Sequence, residues 1–395
     1  MTHSKNTRLL HIGSAPFDEQ SQTAGVSLPS IRTSTVRFKS LDALEQAQQR
    51  RARGERVVTY GISGLETHRA LEEVFMALEN GTYCVLNPSG LASIYLVFMS
   101  VLRSGDHVLV SDSVYGPVRT MNETLLKRLN IDLTFFSPSQ DDIASLIRPN
   151  TKMIYVESPG SLLMEMLDMR ALSAVARAHD LVLATDNTWG SHVYQPLALG
   201  ADISLVAGTK YVGGHSDLLL GAVVANRDDL AQALHQTQYA MGNAVSADDV
   251  WLALRGVKTL AIRLKQHTEN ALAICAYLDQ HPKVSRLYFP PWHKDPGHTI
   301  WQRDCSGGNG LLSLSLNASA NDAKTFVNAL KLFGIGFSWG GFESLVQWVS
   351  PSALSSHRYW NEGDRGVVRL HIGLESVDDL IADLDQAFDA MPDSR

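Results

Sequence analysis

Two short runs, Met153-Ile154-Tyr155-Val156 and Leu181-Val182-Leu183-Ala184, are apolar at every position. A strand wetted on one side alternates in polarity, so strands apolar on both faces must be covered on both. That is the condition of central strands in a largely parallel sheet. The surrounding chain repeats one pattern: helix 88–102, strand 106–111, helix 117–129, strand 131–136, helix 141–147, strand 152–157, helix 169–179, and strands 181–185, 203–207 and 218–225. This predicts an α/β fold, a mainly parallel sheet between two layers of helices. Ligands of such folds lie beyond the carboxyl ends of the strands. Asp112, Glu157, Asp186 and Lys210 fall at those ends.

The chain of 395 residues exceeds a usual single domain. Residues 1–60 are poor in regular apolar strands and contain one helix, 40–53. Residues 61–255 carry the α/β pattern. Residues 256–395 are predicted as a smaller α+β domain, entered through a helical region at 246–281 that Gly256 interrupts. It continues with an alternating strand at 311–316, a helix at 322–332, a strand at 367–372 and a closing helix. Ser376 with Asp379 reads as a capping pair for that last helix, and Val377, Leu380, Ile381, Leu384 and Phe388 form its apolar face.

Charge narrows the function classes. With 34 basic against 41 acidic residues the formal net charge is −7, which argues against nonspecific nucleic-acid binding. Arg50, Arg51, Arg53 and Arg56 read as a solvated helix face; a nucleic-acid patch and an arm over a partner subunit are the other two readings. Three cysteines, Cys84, Cys275 and Cys305, lack Cys-x-x-Cys spacing and point neither to a disulfide framework nor to a cysteine zinc site. His293 and His298 read as loop residues rather than metal ligands, and no metal site is expected. No apolar leader follows Met1 and no apolar run is long enough for a bilayer, so neither export nor a membrane span is expected. A reducing cytoplasm fits.

Lys210 lies between Thr209 and Tyr211, after the apolar strand 203–207 and before the glycine-rich turn Gly213-Gly214-His215-Ser216-Asp217. A lysine fixed at a strand end can be desolvated and its pKa lowered, as amine chemistry requires, although Thr-Lys-Tyr alone reads more plainly as a snorkelling surface lysine. Asn87-Pro88-Ser89-Gly90-Leu91-Ala92-Ser93 opens a helix with small residues, so its free N–H groups can receive a phosphate; an ordinary N-cap is the plainer reading. Asp186, in Thr185-Asp186-Asn187-Thr188, could cap a helix, ligate a metal or hold a proton on a ring nitrogen, and no His or second Asp at ligand spacing supports the metal. A phosphate cradle, a strand-end Asp and a strand-end Lys together match the needs of pyridoxal phosphate. No Gly-x-Ser-x-Gly elbow supports hydrolysis, and no early Gly-x-Gly-x-x-Gly supports a dinucleotide.

Asp186-Asn187-Thr188, Thr209-Lys210-Tyr211 with Gly214-His215-Ser216-Asp217, and Ser338-Trp339-Gly340-Gly341-Phe342-Glu343-Ser344 resemble the cystathionine-metabolising pyridoxal-phosphate enzymes of fold type I. Glu157-Ser158-Pro159-Gly160-Ser161 and Arg369-Leu370-His371-Ile372-Gly373-Leu374-Glu375 resemble the bacterial β-lyases of that family. The resemblance implies that Lys210 forms the Schiff base and moves the Cα proton, with Tyr115 and Tyr60 beside it as catalytic residues. It implies that Asp186, Gly90, Leu91, Tyr115, Thr209, Tyr60 and Ser161 hold the cofactor, and that Arg369, Ser338, Trp339 and Tyr60 hold the substrate. The implied reaction is β-cleavage of L-cystathionine to homocysteine, pyruvate and ammonia. Cysteine, cystine or S-alkylcysteine lyases, γ-lyases or γ-synthases, and a cofactor-binding regulatory protein are the alternatives. The implied assembly is a homotetramer of catalytic dimers, in which the arm 1–60 contacts the neighbouring subunit and Tyr60 crosses to its site.

Three positions depart from the family pattern. Tyr60-Gly61-Ile62 keeps a tyrosine but lacks the arginine that usually follows two residues later, and Arg53 or Arg56 is a candidate substitute. Ala207 stands where many relatives carry a phosphate-binding serine. Phe337 stands where γ-lyases tend to carry a glutamate, which leans toward β-chemistry. The sequence leaves open whether Ser158-Pro159 is a cis bond.

Overall fold

The computed structural model describes residues 3–53 and 55–392. Seven strands form the larger sheet: β1 (Tyr83–Asn87), β2 (His107–Ser111), β3 (Asp132–Phe136), β4 (Thr151–Glu157), β5 (Val182–Asp186), β6 (Ile203–Val206) and β7 (Gly221–Ala225). Their order is β1-β7-β6-β5-β4-β2-β3. Strands β2 to β6 pair in parallel, and β7 runs antiparallel to both β6 and β1. The carboxyl ends of β1, β2, β4, β5 and β6 therefore share one edge of the sheet, where the polar strand-end residues gather. The runs apolar on both faces are covered on both, by one buried cluster around Phe75, Val156 and Leu183 and another around Phe98, Tyr155 and Ala184.

Several elements differ from the sequence expectation. Helix Glu66–Glu79 and strand β1 were not anticipated, because the helix buries Glu72 and Glu79 among its apolar residues and so blurs its periodicity. Helix 117–129 is broken into Pro117–Met121, a wider π turn over Asn122–Leu126 and a tight turn over Lys127–Leu129. The helix expected at 141–147 is a single 3-10 turn, Ile143–Leu146, started by the Asp142 carboxylate accepting from the Ala144 N–H. An N-terminal helix, Lys5–His11, is tied down by Lys258, whose Nζ donates to the carbonyls of Leu9 at 3.1 Å and Leu10 at 3.0 Å.

Gly256 does not break its helix, which runs Ala247–Val257 before a second begins at Leu260–Leu278. A Cβ at Gly256 would lie 2.2 Å from the carbonyl oxygen of Gly213, so glycine lets this helix touch the turn that follows Lys210. Ser376 does start the closing helix, Val377–Asp389, but its hydroxyl makes no capping bond, contrary to the expected capping pair; Asp378 and Asp379 supply negative charge to the first turn.

The second sheet has the order β10-β11-β12-β9-β8, built from β8 (Val284–Tyr288), β9 (Leu311–Leu316), β10 (Gly334–Ile335), β11 (Leu345–Val349) and β12 (Val367–His371). Strand β9 reads as alternating yet is buried along its whole length, because its serines are covered as fully as its leucines. Among the described residues, no helix is long and apolar enough to cross a membrane.

Candidate active site

Strand β6 ends at Val206, and the chain turns at once: Lys210 N–H donates to Ala207 O at 3.1 Å and Gly214 N–H to Lys210 O at 2.8 Å. Tyr211 anchors the turn from within. Its ring is wholly buried against His267, Trp339 and His371, and its hydroxyl accepts the Gly310 N–H at 2.9 Å. Lys210 is half-buried, with Nζ donating to Ser338 Oγ at 2.6 Å and lying 5.3 Å from the Trp339 ring centre. Burial, then the nearby Arg369 cation, bring its pKa down to about 8 against the opposing pull of Asp186.

The loop facing Lys210 comes from the second sheet. Ser338 and Gly340 both take left-handed backbone, φ 79° and 94°. A Cβ on Gly340 would meet Tyr211 N at 2.8 Å and Lys210 C at 2.9 Å, so only glycine lets the two backbones touch. Ser216 closes the other side of this junction, its hydroxyl donating to Glu343 at 2.5 Å. Arg369, on β12, reaches the same loop through Nη2 to Ser338 O at 3.1 Å. Burial holds that guanidinium down to about 10.

Asp186 ends β5 in a buried position. Its Oδ1 accepts two bonds from Thr188, N–H at 2.9 Å and hydroxyl at 2.6 Å, while the same hydroxyl accepts the Ala207 N–H at 2.9 Å. One threonine thus ties the aspartate to the loop that carries Lys210. Burial raises the Asp186 carboxyl to about 6 despite those bonds. Behind it, Asn187 Nδ2 donates to Glu79 at 2.7 Å and to Tyr194 O at 3.0 Å, fixing the segment after β5. Tyr115 is 47% exposed, and its backbone N–H donates to Glu157 at 2.5 Å. Its phenol is raised chiefly by burial, with the carboxyl groups of Glu157 and Asp186 near it and Arg369 opposing, which places it among these groups.

The anion cradle begins with Ser89, whose hydroxyl accepts the Ala92 N–H at 3.1 Å at the start of helix Gly90–Val101. The N–H groups of Gly90 and Leu91 stand in the first turn, where a helix supplies no partner of its own. A Cβ on Gly90 would come 2.7 Å from the Ala207 Cβ, so the small Ala207 is what the cradle leans on. Thr209 is engaged elsewhere: its hydroxyl donates to Leu220 O at 3.2 Å and accepts Leu220 N–H at 2.9 Å. Ser161 is held through its backbone, N–H to Ser113 O at 2.7 Å.

Tyr60 stands apart in this single chain. It is 51% exposed, bridges to Thr35 through its backbone, and no hydrogen bond joins its side chain to Lys210 or Asp186 among the described residues. The two candidate substitutes for the missing arginine are already paired, Arg53 with Glu55 and Arg56 with the buried Glu72. Arg51 instead lies 5.0 Å from the centre of the Tyr239 ring and donates to Thr59 Oγ1 at 3.0 Å. His298 Nδ1 donates to Pro290 O at 2.9 Å and its ring stacks on Trp301, and Ser158-Pro159 is cis.

Sequence reasoning did not find the double role of Thr188, the Glu157 contact to Tyr115 or the close approach at Gly340. Adjacent glycines at 340 and 341 were the only available signal for the last. The residues fit pyridoxal phosphate: a helix start for its phosphate, a lowered-pKa amine for its aldehyde, and Asp186, whose recorded bonds all fall on one oxygen, for its ring nitrogen.

The sequence profile of the family described as Cys/Met metabolism PLP-dependent enzyme matches residues 6–389. The chain is 60% identical over 385 residues to a cystathionine beta-lyase of Bordetella avium, covering 97% of each. It is 38% identical over 365 residues to a cystathionine beta-lyase of Escherichia coli K12, covering 90% of this chain and 92% of that one. Among solved structures, cystathionine gamma synthase of Xanthomonas oryzae pv. oryzae in complex with cystathionine matches with a TM-score of 0.89 at 30% identity over 99% of both chains. Cystathionine gamma-lyase of Lactobacillus plantarum complexed with L-serine matches with a TM-score of 0.86 at 32% identity, over 98% of this chain and 99% of that one. The chain belongs to the family of Cys/Met metabolism PLP-dependent enzymes.

Proposed function

We propose that this chain is a carbon–sulfur β-lyase that converts L-cystathionine and water to homocysteine, pyruvate and ammonia. The observation that carries this reading is the 60% identity, over nearly the whole chain, to a protein named cystathionine beta-lyase. When bound, pyridoxal phosphate supplies an electron-withdrawing ring into which charge from the substrate Cα can spread. The Gly90 and Leu91 N–H groups would hold its phosphate, Asp186 would keep a proton on its ring nitrogen, and Tyr115 would lie beside the ring.

Arg369 grips the substrate α-carboxylate with its planar, two-pronged donor set, and Ser338 and Trp339 line the same wall. Lys210 takes the Cα proton through Nζ, which its lowered pKa of about 8 keeps ready to act as a base near neutrality. Lys210 then returns a proton to the departing sulfur, so homocysteine leaves as a thiol. Water attacks the remaining carbon fragment, which leaves as pyruvate and ammonia. The exposed Phe337 at the mouth of the site offers an apolar surface to the substrate's distal arm.

The division into an arm at 1–60, a cofactor domain at 61–255 and a smaller domain at 256–395 belongs to this reading. So does a homotetramer of catalytic dimers in the cytoplasm, with Tyr60 completing the neighbour's site. Its support is the outward Tyr60 and the apolar side chains of Phe17 and Val26, 74% and 91% exposed on the arm.

The test is the keto acid released from cystathionine by purified protein, with cystine and S-alkylcysteines offered in parallel. Pyruvate from cystathionine is expected. Release of 2-oxobutanoate instead would place the chain with the γ-cleaving enzymes, and turnover of cystine or S-alkylcysteines alone would move the substrate.

A further inference from the structure

Glu157 ends β4 where Asp186 ends β5, and the two are direct partners in the parallel register. Tyr155, two positions earlier and so on the same face, has a buried hydroxyl with no partner. Two carboxyl groups and a phenol therefore share one wall beside the site. Both bonds recorded for Asp186 come from Thr188, whereas Glu157 receives a single one, the Tyr115 N–H at 2.5 Å. No cation opposes burial at Glu157, whereas Lys210, although it donates to Ser338, draws the Asp186 carboxyl toward its anion.

Neighbouring carboxyl groups with so few donors do not both ionise. Asp186 has the donors that suit an anion, so the retained proton belongs on Glu157. Burial and the Asp186 charge both push the Glu157 carboxyl well above the usual carboxylate range, consistent with that placement.

We propose that Glu157 is a positioning residue held as a neutral acid, whose oxygen fixes the Tyr115 backbone while its proton leaves Asp186 the sole anion of the pair. The groups facing it are Asp186 on β5, Tyr155 on its own strand and the Tyr115 phenol, with Lys210 beyond Asp186. The proposal rests on Asp186 and Tyr115 serving the cofactor, as set out above.

Glu157→Gln keeps both neutrality and the acceptor, so the pH dependence of the cofactor's absorption should stay where it is in the parent enzyme. Glu157→Ala removes the acceptor, and kcat/KM should fall by about tenfold, the scale of one lost neutral hydrogen bond with its unpaired N–H. The glutamine variant should recover most of that loss, which a residue that merely fills space would not require. In the parent protein, with or without cofactor, infrared spectroscopy should show a carboxylic-acid C=O band at about pH 8 that Glu157→Gln abolishes.

A shifted pH dependence in Glu157→Gln would overturn the proposal, as would alanine and glutamine variants of equal activity or the absence of a band that the glutamine change removes. If Glu157→Ala does not fold, the infrared band and the glutamine pH dependence still decide. Failure of the underlying site reading looks different: Lys210→Ala would then keep a borohydride-reducible cofactor link, whatever Glu157 does.

Discussion

Thr188→Val preserves shape and removes one hydroxyl that serves two elements. That hydroxyl donates to Asp186 Oδ1 at 2.6 Å and accepts the Ala207 N–H at 2.9 Å. A hydrogen bond to a charged acceptor contributes about 1.5–3 kcal/mol, or about one to two pKa units. Thr188 is the main influence opposing burial at Asp186, so the carboxyl should climb from about 6 to about 7 or 8 in the variant. A raised carboxyl pKa means that the native state keeps a proton that the unfolded chain has released. Native stability therefore falls as pH rises from 3.8 to about 6 in the parent, and the variant extends that fall to about pH 7 or 8.

The orphaned Ala207 N–H removes about another 1 kcal/mol at all pH values. At neutral pH more of Asp186 is protonated and unable to hold a ring cation. Cofactor affinity and kcat/KM should both weaken, and their acid limbs should move up by about one to two pH units. Cofactor retention and keto-acid release measured across pH, with melting curves of the cofactor-free protein, would show the shift. Acid limbs that coincide with those of the parent would refute the link from Thr188 through Asp186 to the cofactor. A moved acid limb with melting unchanged at acid pH, where Asp186 is protonated in both proteins, would mean that the Ala207 N–H finds another acceptor.

Gly340→Ala places a Cβ 2.8 Å from Tyr211 N on backbone at φ 94°, and should lower stability by about 1–3 kcal/mol. Keto-acid release should drop with it as Ser338 shifts from Lys210; an unaltered melting temperature and rate would contradict the close packing. Arg369→Lys keeps the charge but loses the two-pronged grip, so KM should rise by about tenfold with kcat less affected. A fall in kcat alone would argue against carboxylate binding. Lys210→Ala should abolish the borohydride-reducible cofactor link and slow turnover by about 10²-fold or more, and a reducible adduct surviving at another lysine would reject the assignment.

Half of this site is legible because it depends on local pattern. Strands apolar on both faces imply a covered parallel sheet, such sheets bind at their carboxyl ends, and Asp186, Glu157 and Lys210 announce themselves by standing where those apolar runs stop. The other half depends on residues far apart in sequence. Thr188 carries no local sign of its role, because only the pairing of β5 with β6 brings its hydroxyl to Ala207. Gly256 reads as a helix breaker until Gly213 is seen against it, and nothing local at Gly340 foretells that the Lys210 backbone fills the space beside it. Ser338 and Arg369 are carried in on the second sheet more than 120 residues after Lys210, and the Ser338 oxygens are what hold both cations in place, Lys210 at Oγ and Arg369 at the carbonyl. That shared partner explains how two positive groups stand side by side in a half-buried site, where burial lowers both and the Arg369 cation further lowers Lys210.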